Sequence, residues 1–329
     1  EFVTKLEQGI EKALKFFLGT LIEGPVDGSF LVQYPDSDGD LAHVSETGTN
    51  AILGLALIDY IRTLEYAGSV DSYDGQAQTF RLVQELKPKL RGIVEFILYM
   101  QMPNLHFAQE YLIAPRPHKV PSYSNYFDGE SLLCLVKAAK YIKGYDHLIP
   151  LIEETAPALA KAYTVDVWPN EHDSPVTKGF YQWSSMAFAE YFHAGWEDAD
   201  VMGDYVLALG HWIVHTHRIL IRQRNTGYAF EGIVSAYQVA LARNLPEIAA
   251  TLQKVVQVGL YKITKWQVGG PLAAENPYLV QHPTKESIAV GGIMNARNEA
   301  PLRIDTTQHQ MHAVMMALEQ KLYTTEAEA

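Results

Sequence analysis

The chain has 329 residues, 48% hydrophobic and 19% charged, which is enough apolar mass for one large globular domain or two ordinary ones. Its formal charge of −12 argues against nucleic acid or an anionic membrane surface as a partner, because both are held by clustered Lys and Arg. No apolar run reaches the ~18 residues that a transmembrane helix needs.

The lone cysteine, Cys134, permits neither an intramolecular disulfide nor a multi-cysteine zinc site. It reads as a small core residue and fits an extracytoplasmic home without establishing one. The chain opens Glu1-Phe2-Val3-Thr4 without an initiator Met and reads as trimmed at the front, which leaves open whether a targeting segment or further domain precedes it.

Apolar residues at Phe2, Leu6, Ile10, Ala13, Leu14 and Phe17 predict an amphipathic helix that ends at Gly19. Residues 20–48, punctuated by Gly24-Pro25, Asp27-Gly28 and Asp38-Gly39, predict a loop carrying a small β-hairpin around Phe30–Tyr34. Thr49–Leu64 is apolar nearly all round, the pattern of a buried helix, and a more charged helix is expected from Gln76 to Gln101. The same order then recurs. A Pro-rich loop (114–122) leads into a buried helix over Ser131–Tyr141, followed by an amphipathic one over His147–Tyr163. The loop 168–175 leads into Met186–Phe192, then an outer helix over Asp198–Leu220. A buried helix over Ile233–Ala242 is followed by an outer one from Pro246, a fitting first-turn residue, to Trp266. A long loop (268–302) returns to Arg303 and a final helix, and nothing after Tyr323 predicts another.

The buried helices thus begin near Thr49, Gly129, Tyr181, Glu231 and Thr306, the middle ones about 50 residues apart, the length of one helical hairpin with its loops. Buried and amphipathic helices alternate, and each buried one is entered through a polar segment. We therefore expect an all-α, single-domain toroid over 1–329 with five or six hairpins, inner helices ringed by outer ones, and 20–48 and 268–302 as rim loops. The openings Asn125-Tyr-Phe-Asp-Gly-Glu130, Gly179-Phe-Tyr-Gln-Trp183, Asn225-Thr-Gly-Tyr-Ala-Phe-Glu-Gly232 and Arg303-Ile-Asp-Thr-Thr-Gln-His309 carry a resemblance to the (α/α) toroids of the six-hairpin glycosidase type. These include glycoside hydrolases, uronyl hydrolases, polysaccharide lyases and sugar epimerases. The resemblance implies a funnel at the end where inner helices begin, with a saccharide as its occupant.

Glu130, Glu231 and Asp305 each stand at the start of a buried helix and are the acid/base candidates. Glycoside hydrolysis needs paired carboxylates, and burial beside a like charge raises one pKa for acid duty. A carboxylate in a first helical turn is also favoured by the free N–H groups there, whatever the protein does. Tyr126, Tyr228 and His309 are assisting groups, suited to moving a proton beside a uronate carboxylate. Trp183 and Tyr181 are stacking surfaces, and Asn125, Asn225, Arg224, Arg303 and Gln308 are substrate-binding candidates. His309, His312 and Asp305 would suit a metal, but no His-Glu-x-x-His motif accompanies them and no cofactor is expected. His211 and His215 read as surface or packing residues.

Arg116, His118, Lys119, Lys178, Arg222, Arg224, Arg297 and Arg303 lie in the loops that enter the buried helices, a basic mouth on an acidic body. The expected function is acid–base chemistry on an anionic oligosaccharide by hydrolysis, elimination or epimerisation. The other reading is a non-catalytic module that binds a glycan or a protein within a larger polypeptide. Oligomeric state is left open.

Overall fold

A computed structural model of the chain describes residues 2–35, 38–68 and 73–322. Eleven α-helices and three small antiparallel sheets are found among the described residues. None of these helices is long and apolar enough to cross a membrane. The expectation that no helix follows Tyr323 falls outside the described residues. The chain divides into two compact units, Glu1–Tyr163 and Thr164–Ala329.

In the first unit, α1 (Phe2–Gly19) leads into a hairpin of β1 (Leu21–Glu23) and β2 (Phe30–Val32). Then come β3 (Val44–Glu46), α2 (Thr47–Gly68), α3 (Tyr73–Met100), β4 (Glu110–Leu112), β5 (His118–Lys119), α4 (Asn125–Tyr141) and α5 (Ile149–Tyr163). The Pro-rich segment expected as a loop supplies β5, which pairs with β4, and β4 pairs with β3. Contacts between α2 and α4 advance in step along both helices. The backbone of Gly48 faces Phe127 and Glu130, Gly54 faces Cys134, and Asp59 pairs with Lys137. The two helices therefore run parallel, with α3 packed on α2 and α5 packed on α4. Cys134 is fully buried, the core role expected of it. Asn50, also fully buried, is satisfied on all sides. It accepts from the Val32 N–H at 2.9 Å and donates to Ser45 Oγ at 2.9 Å and to the Glu46 carbonyl at 2.8 Å, tying α2 to the sheets.

The second unit contains α6 (Pro175–Ala194), α7 (Ala199–His211), α8 (Gly227–Ala242), α9 (Pro246–Thr264), the short α10 (Pro277–Gln281), β6 (Met294–Ala296), β7 (Glu299–Leu302) and α11 (Ile304–Glu319). α8 packs between α6 and α11, and α7 and α9 pack behind. Gly227 meets His309 and Gln310, and Glu231 meets His312, so α8 and α11 also run in the same direction. The expected outer helix over Asp198–Leu220 is broken. It ends at His211, continues as a π-turn to Thr216 and resumes as a short 3-10 turn at Ile219–Ile221. The loop 268–302 is more ordered than expected, since it forms α10 and the β6–β7 hairpin.

All five buried helices start two to six residues earlier than the sequence pattern indicated. The polar openings are therefore first and second helical turns rather than loops. The glycines that suggested loops serve close packing instead: at Gly232 a Cβ would strike the ring and hydroxyl of Tyr181. Ser174, whose Oγ accepts from the Val176 N–H at 3.1 Å, and Pro175 at the first position fix where α6 begins.

Gly259 on α9 lets the fully buried ring of Phe230 on α8 lie directly against the helix backbone, where any Cβ would overlap it. Gly259→Ala is therefore expected to lower stability by about 1–3 kcal/mol in urea unfolding, although helix propensity alone favours Ala by about 1 kcal/mol. A stabilised variant would contradict this packing.

Candidate functional site

Glu231 is wholly buried on the second turn of α8. Removing a carboxylate from water costs several kcal/mol unless donors replace the lost hydration. Three side chains from two other helices surround it. His312 of α11 places Nδ1 2.6 Å from Glu231 Oε1. Gln182 of α6 donates a short hydrogen bond to Glu231 Oε2 and sets its amide nitrogen 2.9 Å from His309 Nδ1. His309 Nδ1 is also 3.1 Å from Glu231 Oε2.

An ionised carboxylate only accepts, so the 2.6 Å contact is a hydrogen bond when His312 carries its proton on Nδ1. The Gln182 amide nitrogen reaches both Glu231 Oε2 and His309 Nδ1, and His309 Nδ1 in turn faces both Gln182 and Glu231. One buried carboxyl group thus gathers two imidazoles. His309 is nearly buried, with its ring edge-on to Trp183 (centroids 6.0 Å apart), whereas the His312 side chain is 43% exposed.

A basic pocket of about 350 Å³ lies in the same unit, lined by Lys178, His217, Arg222, Arg224, Asn225, Tyr228, Asn295 and Arg303 among others. Tyr228 stands one helical turn before Glu231 on α8, and Arg303 is the residue before α11. The pocket wall is stitched together by backbone. The Asn225 N–H donates to the Asn295 carbonyl at 2.7 Å, and the Arg297 N–H donates to the Gln223 carbonyl at 3.0 Å. Lys262 braces this segment from behind, donating to the carbonyls of Ile219 (3.1 Å), Leu220 (3.3 Å) and Arg222 (2.8 Å). Burial lowers the Lys262 ammonium to a pKa of about 8. Asn225 holds a left-handed φ of 36°, a conformation that Asn tolerates better than most residues. At the pocket's edge Asp173 accepts from Arg222 and lies 2.6 Å from His217 Nδ1, while His217 stacks on Trp212. Desolvation holds the His217 pKa below its ordinary value, against the opposing pull of Asp173.

The first unit carries Asn125, Tyr126 and Glu130 on the opening turns of α4. Tyr126 is half-exposed. Desolvation, aided by Glu46, pushes the Glu130 carboxyl up to about 8, so it is mostly protonated at neutral pH. Between the two, Asp128 is fully buried. It accepts from the Phe107 N–H at 2.7 Å and from the Tyr163 hydroxyl at 2.5 Å, and His106 Nδ1 lies 2.6 Å away.

Among the expected site residues, Glu231, His309 and Trp183 are brought together, and so are Arg224, Asn225, Tyr228 and Arg303. Asp305 stands apart from the Glu231 cluster. It is clamped by Arg303 (2.9 and 2.6 Å) and caps the Thr306 N–H at 2.8 Å, and these bonds hold its pKa down despite burial. His309 and His312 turn to Glu231 rather than to Asp305. Tyr181 is buried, donating to the Ala229 carbonyl at 3.1 Å, and Gln308 is exposed. Of the expected basic rim, Lys178, Arg222, Arg224 and Arg303 line the pocket. Lys119 instead donates to the carbonyls of Tyr99 and Gln101, both at 2.8 Å.

Gln182 and Asp128 sat inside the quoted openings but were passed over for their neighbours. His217, Asp173 and His106 come from irregular segments and Asn295 from the three-residue strand β6, none long enough for a periodicity to flag them. No protein-family model, curated protein or solved structure matches the chain.

The raised Glu130 pKa has a stability consequence. Below the ordinary value of 4.5 both folded and unfolded states are protonated, so nothing is lost. Between 4.5 and about 8 only the unfolded state ionises, and folding stability falls as pH rises, by about 1.4 kcal/mol per unit of pKa difference. Glu130→Gln should therefore raise the melting temperature at pH 9 and leave it unchanged at pH 4. Equal effects at both pH values would refute the assignment.

Proposed function

We propose that the chain is a carbohydrate-active enzyme that performs acid–base chemistry on an anionic saccharide, with the reacting groups in its second unit. The observation carrying this reading is the pair of imidazoles gathered around one buried carboxyl group, which we read as opposite tautomers: with Gln182 donating to His309 Nδ1, the His309 proton lies on Nε2. His312, with Nδ1–H directed at Glu231, serves as general base through Nε2. Glu231 steadies the imidazolium that forms and is itself too buried to touch substrate. His309, with Nε2–H outward, serves as the complementary acid. When a proton reaches His309 Nδ1, the 3.1 Å approach to Glu231 Oε2 becomes a charge-assisted hydrogen bond, so the same carboxylate can stabilise either imidazolium.

The basic pocket supplies the hold on the substrate anion. Lys178, Arg224 and Arg303 line it, and Trp183 offers an indole beside His309 for a sugar face. The inner–outer alternation of helices within each unit supports the stacked-hairpin architecture of (α/α) toroid enzymes. The toroid itself, like the saccharide, belongs to this proposal. Proton removal and return by two opposed groups suits epimerisation or elimination beside a uronate carboxylate as readily as hydrolysis.

The test is a screen of purified protein against uronate-containing and neutral oligosaccharides in deuterated water, read by mass spectrometry. Cleavage, an unsaturated end or deuterium uptake identifies the reaction. His312→Ala is expected to lower the rate by about 10²–10⁴-fold and Glu231→Gln to lower kcat with little change in KM. Undiminished turnover in both variants would refute this centre, and binding without turnover in the parent protein would support the glycan-binding module.

A further inference from the structure

The charge balance of the basic pocket narrows what it can hold. Four cations line it, Lys178, Arg222, Arg224 and Arg303, and no carboxylate does. Three of them carry a carboxylate partner on the far side: Arg222 with Asp173 (2.6 Å), Arg224 with Glu299 (3.3 Å) and Arg303 with Asp305 (2.6 Å). Among the described residues Lys178 has none, and its positive charge is felt at the neighbouring His217. His217, with its pKa held below the ordinary value, adds no charge at neutral pH. The pocket is thus one positive charge in surplus.

Its neutral groups are equally specific. The side-chain oxygens of Asn225 and Asn295 are buried without a hydrogen-bond partner, and Asn295 is only 3% exposed. A buried acceptor left unpaired costs about 1–3 kcal/mol and is normally satisfied, so these two oxygens, on residues that line the pocket, lack the donors they need. Hydroxyl groups supply them and anionic oxygens do not.

We propose that this pocket binds one monoanionic group, a carboxylate or a sulfate monoester, carried on a hydroxylated ligand, with Lys178 as its counter-charge and Asn225 and Asn295 as acceptors for neighbouring hydroxyls. This deepens the reading above from anionic to monoanionic at the same site. A dianion would bring a second negative charge that nothing in the pocket neutralises. The volume, about 350 Å³, suits a single sugar unit.

The test is calorimetric titration of the full chain at pH 8 with methyl glucuronoside, glucose 6-sulfate, glucose 6-phosphate (dianionic at that pH) and methyl glucoside. At least one of the two monoanions is expected to bind tenfold or more tightly than methyl glucoside and several-fold more tightly than the phosphate. The stronger of the two identifies the group. Lys178→Met should remove that preference and Lys178→Arg should restore most of it, with circular dichroism confirming that both variants are folded. Tighter binding of the phosphate, full affinity in Lys178→Met, or no binding by any anion would each overturn the proposal. The acid–base reading is judged separately by turnover. Monoanion binding without reaction would retain the pocket and remove the enzyme, whereas reaction on neutral sugars alone would do the reverse.

Discussion

A carboxylate with no access to water must be held by donors, and Glu231 meets that requirement with side chains from two other helices. Gln182 comes from α6 and His309 and His312 from α11, 49 to 81 residues away in the chain. Satisfying Glu231 therefore fixes the relative placement of three helices at the level of their second and third turns. In the proposed mechanism it also decides which nitrogen of each imidazole carries a proton. Structural and chemical consequences arise from the same hydrogen bonds, so the cluster cannot be loosened without changing both. Each charged hydrogen bond of this kind is worth about 1.5–3 kcal/mol, enough together to offset the desolvation of one carboxylate.

The basic pocket depends on a different device. Its wall is irregular chain, which left alone would sample many conformations. Lys262 on α9 gathers three carbonyls of the segment before it, and the β6–β7 hairpin zips onto the segment itself through the Asn225–Asn295 and Arg297–Gln223 bonds. Burial lowers the Lys262 pKa, and the three carbonyls replace part of the hydration that its ammonium gives up. Each pocket arginine meets its own carboxylate, which presets the guanidinium without filling the cavity.

Helices and their alternation were legible because burial and exposure repeat at helical period over many residues. The buried character of the stretches around Leu132–Val136 and Ile233–Ala240 needs no structure to see. Their starts differ because glycine and polar residues suggest loops, whereas Gly129 and Gly232 sit inside helices, and at Gly232 a Cβ has no room beside Tyr181. The site was half legible. Glu231, His309, Arg224, Asn225, Tyr228 and Arg303 stood out as polar groups where apolar ones were expected. Gln182 did not, because an amide in a helix is unremarkable until its partner is known. His217 and Asp173 are joined to each other, and Asn295 to Asn225, by contacts between segments far apart in the chain, and no local pattern in the sequence encodes such contacts. Asp305 had the composition of a reactive acid but is used as a clamp for Arg303 and a cap for α11, a choice that only geometry reveals.

The claim that one carboxylate sets two imidazoles in opposed protonation states is most directly measured by long-range ¹H–¹⁵N correlation of the histidine side chains at a pH where they are neutral. The expected spectrum shows His312 as the Nδ1–H tautomer and His309 as the Nε2–H tautomer, with the His312 pattern lost in Glu231→Ala. Two rings in the same tautomer, or a His312 signal indifferent to removal of Glu231, would contradict it.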